Sequence, residues 1–578
     1  MPQDAQPYSS AMLFLDALWE CFGGSIVGQG IYYLSSRQAL KPYYERPEYV
    51  VPEKYSLPTA TYEGLTDSRE SRASSKVSEA GLAGDPPGSD EETTPGLRPG
   101  EILVTWDGPD DPSNPKNWSL MKKTIQVFCV FGLTLSAYMG TAIFTPSAEQ
   151  MIKKFNCTET QFGLGITLFV WGYGIGPILF APMSESPHCG GRLYTYLFPQ
   201  LVFCALQLAT ALINHISSFA VLRFLAGIFA AAPLTNGAGS IADMFLFPRL
   251  PFVLSIWSLS FVTGPYIGPL IGAALTHSNT WRWSFYFLLM VSGGVLLMVS
   301  FIMVETSAQE ILMRKARVLR NLTKNPAIIS MGEIKSRGKS TSTVIKELLW
   351  GPVDLCIHEP VMNLITLHLA LVYSLFYLFF ECFPIIYFEI YHFTDVELGL
   401  AYVSLMVGFA VAFVAYMVYL RKTMLAKFKA HESITPERLF VRVCLVASFF
   451  MPAGIFIVGW ASTYHAHWIG SMIGAAMFGG ATWLMFQTYV SYIGQLYPFR
   501  FASAMASNTF MRSLIGGAFP LFGRFLYINT GSKEFPVGWG SSILAFCGIA
   551  MMLLPIYLYI KGEGLRERAL AKYGNRDI

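Results

Sequence analysis

The stretch SIWSLSFVTGPYIGPLIGAAL, residues 255 to 275, contains no charged side chain. An α-helix rises about 1.5 Å per residue, so about twenty residues span roughly 30 Å, which is the thickness of the hydrocarbon core of a bilayer. An uninterrupted apolar run of this length is typical of a helix that crosses a membrane. We therefore predict a membrane-spanning helix here.

Glycines and prolines recur within this predicted helix in a fixed order, as Gly264, Pro265, Gly268, Pro269 and Gly272. Residues four apart lie on one helix face, so the three glycines form a groove, while each proline removes a backbone donor and bends the helix. The groove has two interpretations. It can simply admit a neighbouring helix, as small residues do in many membrane proteins, or it can belong to a specialised motif.

The composition indicates that the whole chain is embedded in lipid. Of its 578 residues, 53% are hydrophobic and only 14% are charged, and its mean hydropathy is +0.43. A soluble protein carries about a quarter charged residues. The net charge of +3 is too small to indicate nucleic acid binding. The nine cysteines are scattered without metal-ligand spacing, so we expect no metal, no disulfide and no cofactor.

Apolar runs long enough to cross a membrane recur along the chain. They predict six spans before a polar connection and six after it, so the fold class is an all-α integral membrane protein built from two six-helix bundles. A binding cavity is expected between two such bundles, near mid-depth. The predicted spans cover residues 123–145, 160–182, 193–213, 217–240, 251–275, 282–304, 360–388, 397–420, 439–461, 467–495, 501–527 and 536–560.

The predicted organisation has five parts. Residues 1–105 form a largely disordered tail, because 55–100 are rich in Ser, Glu, Pro, Gly and Thr. Near its start we expect an amphipathic helix at the membrane surface, the alternative being a packed core helix. The first bundle covers 106–304 and the second covers 359–560. Residues 305–358 are the central loop, and 561–578 are the C-terminal tail.

Basic residues predict the orientation of the chain. Lysines and arginines cluster in the central loop, in the loop after the eighth span and in the C-terminal tail, so these segments and both termini are expected to be cytoplasmic. A basic amphipathic helix over 304–320 suits the anionic inner leaflet. The sequon at Asn156 then lies outside, where it is a candidate for glycosylation.

Two of the ionisable residues within predicted spans are candidates for function, because charge is costly there. Glu381 is the sole carboxylate well inside the seventh span, in SLFYLFFECFP. Burial disfavours its charged form, so it could take up a proton on one side and release it on the other, although it lies in the outer half of the span. The alternative is a carboxylate that reaches the outer surface. Arg223, in VLRFLAGIFAA of the fourth span, can only be a fixed cation.

Four further polar residues are candidates for the cavity wall. Tyr373 and Tyr377 share the helix face of Glu381, two turns and one turn before it. Asn508 and Arg512, one turn apart in the eleventh span, form a joint polar face that can meet either the cavity or a packed neighbour.

Several strings resemble one family, the proton-coupled antiporters of the major facilitator superfamily. GPYIGPLIG resembles its fifth-span exporter motif, and VLRFLAGIFAA resembles its fourth-span motif, in which the arginine is tied to proton coupling. WDGPDDPSNPKNWSL, residues 106–120, resembles the stretch before the first span of the fungal twelve-span drug:proton antiporters. The resemblance implies a role in coupling for Arg223; the alternative is a structural arginine bonded to carbonyls of a neighbouring span.

A cytoplasmic gate is also implied by resemblance. PMSESPHCGGRLYTY resembles the superfamily's loop motif after the second span, with Gly191 and Arg192 at the glycine and basic positions. Glu185 stands where aspartate is usual, and the spacing is longer than usual. Asp243 lies where the family places the acid that pairs with this arginine. An ion pair of Arg192 with Asp243 or Glu185 is expected to hold the inner mouth shut, the alternative being a solvated pair worth less than about 1 kcal/mol.

The expected function is proton-coupled efflux of amphipathic small molecules, as in the yeast exporters that confer resistance to benomyl, cycloheximide and azoles. The chain has no P-loop, and no enzyme signature is found. The alternatives are a dedicated exporter of one secondary metabolite or toxin, and a non-transporting membrane sensor. The expected partners are the lipid bilayer, the transported molecules and protons, with no nucleic acid, and the chain is expected to be a multi-pass monomer of the plasma membrane or, alternatively, of the vacuole.

Overall fold

The computed structural model describes residues 10–35, 39–46, 49–56, 97–185, 190–337, 346, 350, 354, 358–432, 435–463, 466–497, 501–532 and 534–573. Residues 57–96, which are most of the Ser-, Glu- and Pro-rich segment predicted to be disordered, lie outside the described residues. Before it, helices α1 (Ser10–Gly24) and α2 (Ile26–Leu34) pack on the first and sixth spans.

Twelve helical spans follow, at nearly the predicted positions. Spans 1 to 6 are Leu120–Ala142, Glu159–Glu185, Gly191–Ala211, Ile216–Ala230 with Ala232–Met244, Leu250–Ser278 and Arg282–Ile302. Spans 7 to 12 are Pro360–Pro384 with Ile385–Ile390, Asp395–Ala401 with Val403–Tyr419, Glu437–Val441 with Arg442–Ala461, Ile469–Leu496, Phe501–Gly516 with Pro520–Thr530, and Gly538–Met551 with Leu553–Tyr573.

Within the described residues, eleven helices are long and apolar enough to cross a membrane. The remaining crossing is span 11, which is interrupted over residues 517–519. Pro520 has no backbone N–H to donate to the preceding turn, and two glycines, Gly516 and Gly517, precede it, so the helix is broken there into two shorter pieces.

The two bundles meet along spans 2 and 11 and along spans 5, 8 and 10. On the first seam, the indole of Trp171 donates to the carbonyl of Leu514 at 3.2 Å. On the second, the Trp483 indole donates to Ser258 at 3.0 Å and the Gln487 amide donates to Ser255 at 2.8 Å. An even number of spans places both chain ends and the central loop on one side, called the terminal face below; the other side is called the opposite face.

A small soluble assembly covers part of the terminal face. Strand β1 (Ile102–Leu103) pairs in parallel with β2 (Ile328–Ile329), and helix α3 (Ala308–Thr323) packs beside them. Ala316 and Leu319 of α3 share a buried cluster with Tyr55. The predicted basic helix over 304–320 therefore lays much of its apolar face on the chain's own N-terminal segment rather than on lipid.

Lys315 of α3 stabilises this assembly through ion pairs with two aspartates. Its side chain is fully buried, and Nζ lies 2.7 Å from Asp107 Oδ1 and 3.5 Å from Asp111 Oδ2. Burial opposes the charge on Asp111, but backbone N–H groups of Asp107 and Ser113, together with Lys315, outweigh it and hold the pKa of Asp111 below its ordinary value. The string at 106–120 is thus an ordered turn built around Asp111.

We expect Lys315→Met to release this segment, because it leaves two carboxylates without their cation at a cost of up to about 3 kcal/mol. Hydrogen exchange at residues 102–111 should accelerate at neutral pH, while Arg317→Met, which removes an exposed cation of the same helix, should change little. Because the pKa of Asp111 is lowered in the folded protein, its contribution to the stability of this segment is present above about pH 4 and is lost as the pH falls further. Protection of the wild-type segment from exchange, corrected for intrinsic exchange rates, should therefore fall in acid. Equal protection in both variants would refute this role.

A cavity between the bundles and the lock beneath it

A cavity of about 780 Å³ lies between the two bundles. It reaches the opposite face at Glu149 and Lys153, both exposed, and extends inward to Phe486 and Arg512. Most of its wall is apolar, and its aromatic lining includes Tyr138, Phe162, Phe261, Tyr373, Phe376, Tyr377, Phe380, Phe388, Tyr402, Phe486 and Phe525. Such a lining suits amphipathic molecules.

Glu381 lies in the wall of this cavity, on span 7. Gly523 of span 11 faces it so closely that an added Cβ would lie 2.7 Å from Glu381 Cγ. The charged groups that act on the Glu381 carboxyl are Arg524 and Glu159. Arg524 itself is 3.2 Å from Glu159 and 3.5 Å from Glu389. The sequence interpretation missed this group around Arg524, since its members come from spans 2, 7 and 11.

Tyr373 and Tyr377 line the same cavity, deeper than Glu381. Their hydroxyls are 3.0 Å apart, and both bond to the hydroxyl of Tyr173 from span 2, at 2.9 Å for Tyr377. Tyr173, which the sequence interpretation missed, therefore joins the first bundle to the second. Its only sequence signal is its place in the glycine-rich run WGYGIG.

The two polar residues predicted on span 11 have different surroundings. Arg512 lines the cavity, with its guanidinium 4.8 Å from the Tyr373 ring centre and 5.0 Å from that of Phe486. Asn508 is buried, donates to the Thr366 hydroxyl at 3.2 Å and is not among the lining residues. Of the two roles left open for Asn508, the structure gives it the packing contact.

Arg223 is fully buried in the first bundle, away from span 7. Its three nitrogens donate to the carbonyls of Gly165, Gly140 and Thr141 at 3.0, 2.8 and 3.1 Å. The guanidinium also lies over the rings of Phe144 and Phe169. Within the described part of the chain it has no carboxylate partner. This is the carbonyl-bonded arrangement named above as the alternative, and it ties span 4 to spans 1 and 2.

The glycines and prolines of span 5 face in different directions. A Cβ added at Gly264 would lie 2.6 Å from Tyr138 Cβ, and one at Gly268 would lie 3.1 Å from the Met139 carbonyl oxygen. The glycine groove therefore receives span 1, while Pro265 and Pro269 line the cavity. One face of span 5 therefore packs closely on span 1, as the first interpretation expects, and the adjoining face forms part of the cavity wall.

The predicted gate residues meet on the terminal face. Arg192 Nε lies 2.5 Å from Asp243 Oδ2, and its Nη1 donates to Ser184 at 3.2 Å. Glu185 does not bond to this arginine; it accepts from the Ser503 hydroxyl at 2.9 Å, across the seam between spans 2 and 11. Ala181 packs there against Ala502 and Ala506. We call the contacts of Arg192, Asp243, Glu185 and Ser503 the terminal lock.

Glu305, which the sequence interpretation missed, completes the lock from the loop after span 6. Its carboxylate accepts the backbone N–H groups of Arg192 at 3.1 Å and Leu193 at 3.0 Å, so it caps span 3. Burial raises the pKa of Glu305, although these N–H groups act against the shift. Gly191 has a φ of +77°, and an added Cβ would lie 2.5 Å from Glu305 Oε2, so only glycine fits this approach.

Because Glu185 and Ser503 join the two bundles on the terminal face while the cavity reaches the opposite face, we expect Glu185→Ala to shift the protein toward closure at the opposite face. A hydrogen bond to a charged group contributes about 1.5–3 kcal/mol, which is roughly a tenfold or greater change in the ratio of the two states. Spin labels at the terminal ends of spans 2 and 11 should report longer distances. The control is Glu432→Ala, an exposed acid beyond the lock; unchanged distances in Glu185→Ala would refute the lock.

Comparison with known proteins fits this architecture. Residues 130–520 match the sequence profile of the Major Facilitator Superfamily. The chain belongs to the major facilitator superfamily. It is 41% identical over 556 residues to the cycloheximide resistance protein of Candida maltosa, covering 95% of this chain and 99% of that protein. It is 36% identical over 466 residues to fluconazole resistance protein 1 of Saccharomyces cerevisiae, covering 81% and 84%.

Solved structures of the superfamily share the fold. The xylose transporter XylE from E. coli, in a partially occluded inward-open conformation, aligns with a TM-score of 0.52 at 13% identity, covering 76% of this chain and 97% of that one. At this identity the likeness shows the major facilitator fold alone. The chain is a multi-pass membrane protein of this transporter family.

Proposed function

We propose that this protein exports amphipathic drugs from fungal cells in exchange for protons. The observation that carries the proposal is the Glu381 carboxyl, which lies deeper than the other acids in the wall of a mainly apolar cavity; this cavity opens at one face, and the two bundles are joined by Glu185 and Ser503 at the other. Relatives named for resistance to cycloheximide and fluconazole support the substrate class. Transport, rather than catalysis, is the activity that this family supports.

Orientation follows from the basic residues, which concentrate on the terminal face. With that face in the cytoplasm, the described state opens outward and Asn156, exposed on the opposite face, is accessible for glycosylation. The plasma membrane is the location at which outward opening removes a drug from the cell.

The proposed exchange of drug for proton proceeds in a fixed order. In the outward-open state the drug leaves, and a proton from outside then binds the Glu381 carboxyl and weakens its attraction to Arg524. The lock of Arg192, Asp243, Glu185 and Ser503 then opens as the bundles rock, and Glu381 meets the cytoplasmic pH. Loss of the proton there and binding of a new drug restore the first arrangement. In this scheme Arg223 positions spans 1, 2 and 4 rather than carrying a proton.

Expression in a drug-sensitive yeast that lacks its own exporters tests the proposal. We expect lower steady-state content of labelled cycloheximide and fluconazole than in cells with empty vector, and protonophore should remove the difference. Lowered content of one compound alone would indicate a dedicated exporter. Unchanged content of both drugs, with the protein present at the plasma membrane, would refute drug export.

A further inference from the structure

The inner end of the cavity contains a buried cation without a counter-ion. Arg512 is 3% exposed, and its Nε and Nη2 have no hydrogen-bond partner within the described part of the chain. The groups that act on its charge are Tyr138, Tyr373, Tyr173 and Tyr377, none of which is a carboxylate. No ion pair links it to any acid among the described residues. A buried unpaired charge is costly, so an oxygen ligand would relieve it.

The acids of the cavity lie elsewhere. Along span 7, Glu381 is eight residues beyond Tyr373, which places it about 12 Å closer to the opposite face. Glu149 and Glu159 lie at or near that face, where each has a basic partner. The inner end is therefore positive, whereas the outer part holds both signs of charge.

A tyrosine hydroxyl lies beside the same guanidinium. Tyr138 of span 1 lines the cavity, and its buried hydroxyl is within reach of Arg512. The guanidinium is held between the rings of Tyr373 and Phe486. The result is a planar donor beside a tyrosine hydroxyl, set between aromatic rings, which suits a carboxylate, phenolate or carbonyl oxygen on an apolar body.

We infer that Arg512 is the acceptor-recognition residue of this transporter: it pairs with an anionic or strongly accepting oxygen of the cargo, so the protein favours organic anions and neutral acceptor-bearing amphiphiles over organic cations. The inference rests on the proposed function for its cargo class. It adds that the accepting oxygen of the cargo lies at the inner end of the cavity and that a cationic cargo is disfavoured.

The test is equilibrium binding to the purified full chain without a proton gradient. Fluorescein methyl ester, under conditions where it is anionic, and rhodamine 6G, a cation, share a xanthene frame, so fluorescence anisotropy compares charge on similar bodies. We expect the anion to bind wild type at least tenfold more tightly than the cation. Arg512→Gln should weaken anion binding at least tenfold, about 1.4 kcal/mol, and should leave or improve cation binding. Arg512→Lys should fall between them.

Arg421→Gln is the matched control, since it removes an exposed cation outside the cavity wall. Equal anion affinity in wild type and Arg512→Gln, or a wild type that prefers the cation, would overturn the inference. If Arg512→Gln does not fold, the wild-type preference and Arg512→Lys decide the question. Because no gradient is applied, loss of anion recognition is distinguishable from failure of proton-coupled export.

Discussion

Glu381→Gln is expected to abolish uphill drug export while leaving the protein folded. Glutamine keeps the shape and polarity of the side chain but cannot exchange a proton, so drug movement loses its driving force. One proton moved through 100 mV supplies about 2.3 kcal/mol, which sustains roughly fiftyfold accumulation. That accumulation should fall to equilibration in the variant. Steady-state uptake of labelled cycloheximide into inverted membrane vesicles with an acidic lumen measures the difference.

The control for this change is Glu534→Gln, an exposed acid on the opposite face that does not line the cavity. It should retain wild-type accumulation. Drug binding to Glu381→Gln in detergent should also be retained, since the substitution removes the coupling and not the aromatic wall. Full accumulation by Glu381→Gln would mean that another acid carries the proton.

Gly272→Val is expected to be the most damaging substitution on span 5. A Cβ at Gly272 would collide with the carbonyl oxygen of Ile143, a backbone atom that cannot move unless span 1 moves. Overpacking of this kind costs about 1–3 kcal/mol or more, and here it also separates spans 1 and 5 in the cavity wall. We expect export to be lost and the temperature of thermal unfolding to fall by several degrees.

Gly293→Val provides the comparison, because no atom lies within 4 Å of a Cβ added there on span 6. Export and thermal unfolding should both stay close to wild type. If both valine variants behave alike, the glycine groove has no special packing role, and the resemblance of span 5 to the exporter motif says nothing about its contacts.

The spans could be predicted from sequence because bilayer thickness fixes the length of an apolar helix. The predicted bounds of span 2, 160–182, and span 10, 467–495, differ by three residues or fewer from Glu159–Glu185 and Ile469–Leu496. Span 11 was predicted as one run, since hydropathy does not register the effect of Pro520 after paired glycines.

The missed features depend on contacts between residues far apart in the chain. Lys315 is buried against Asp107, Glu305 caps span 3, and Tyr173 bonds to Tyr377 across the bundles. The local sequence around each of these residues gives no sign of its distant partner. Likewise, an arginine in span 11 is visible in the sequence, but only the structure shows that Arg512 has aromatic neighbours and no acidic partner among the described residues. A charged residue within an apolar run can be recognised from the sequence as a functional candidate, whereas its contacts are known only from the structure.

The central claim is that drug and proton exchange through one cavity. The most direct measurement follows luminal pH in proteoliposomes that contain the purified chain with its terminal face outward and an acidic lumen. Adding cycloheximide outside should raise the luminal pH as the drug enters, and Glu381→Gln should show no such response. A wild-type protein that concentrates the drug without any change in luminal pH, or equally well after protonophore, would contradict the account.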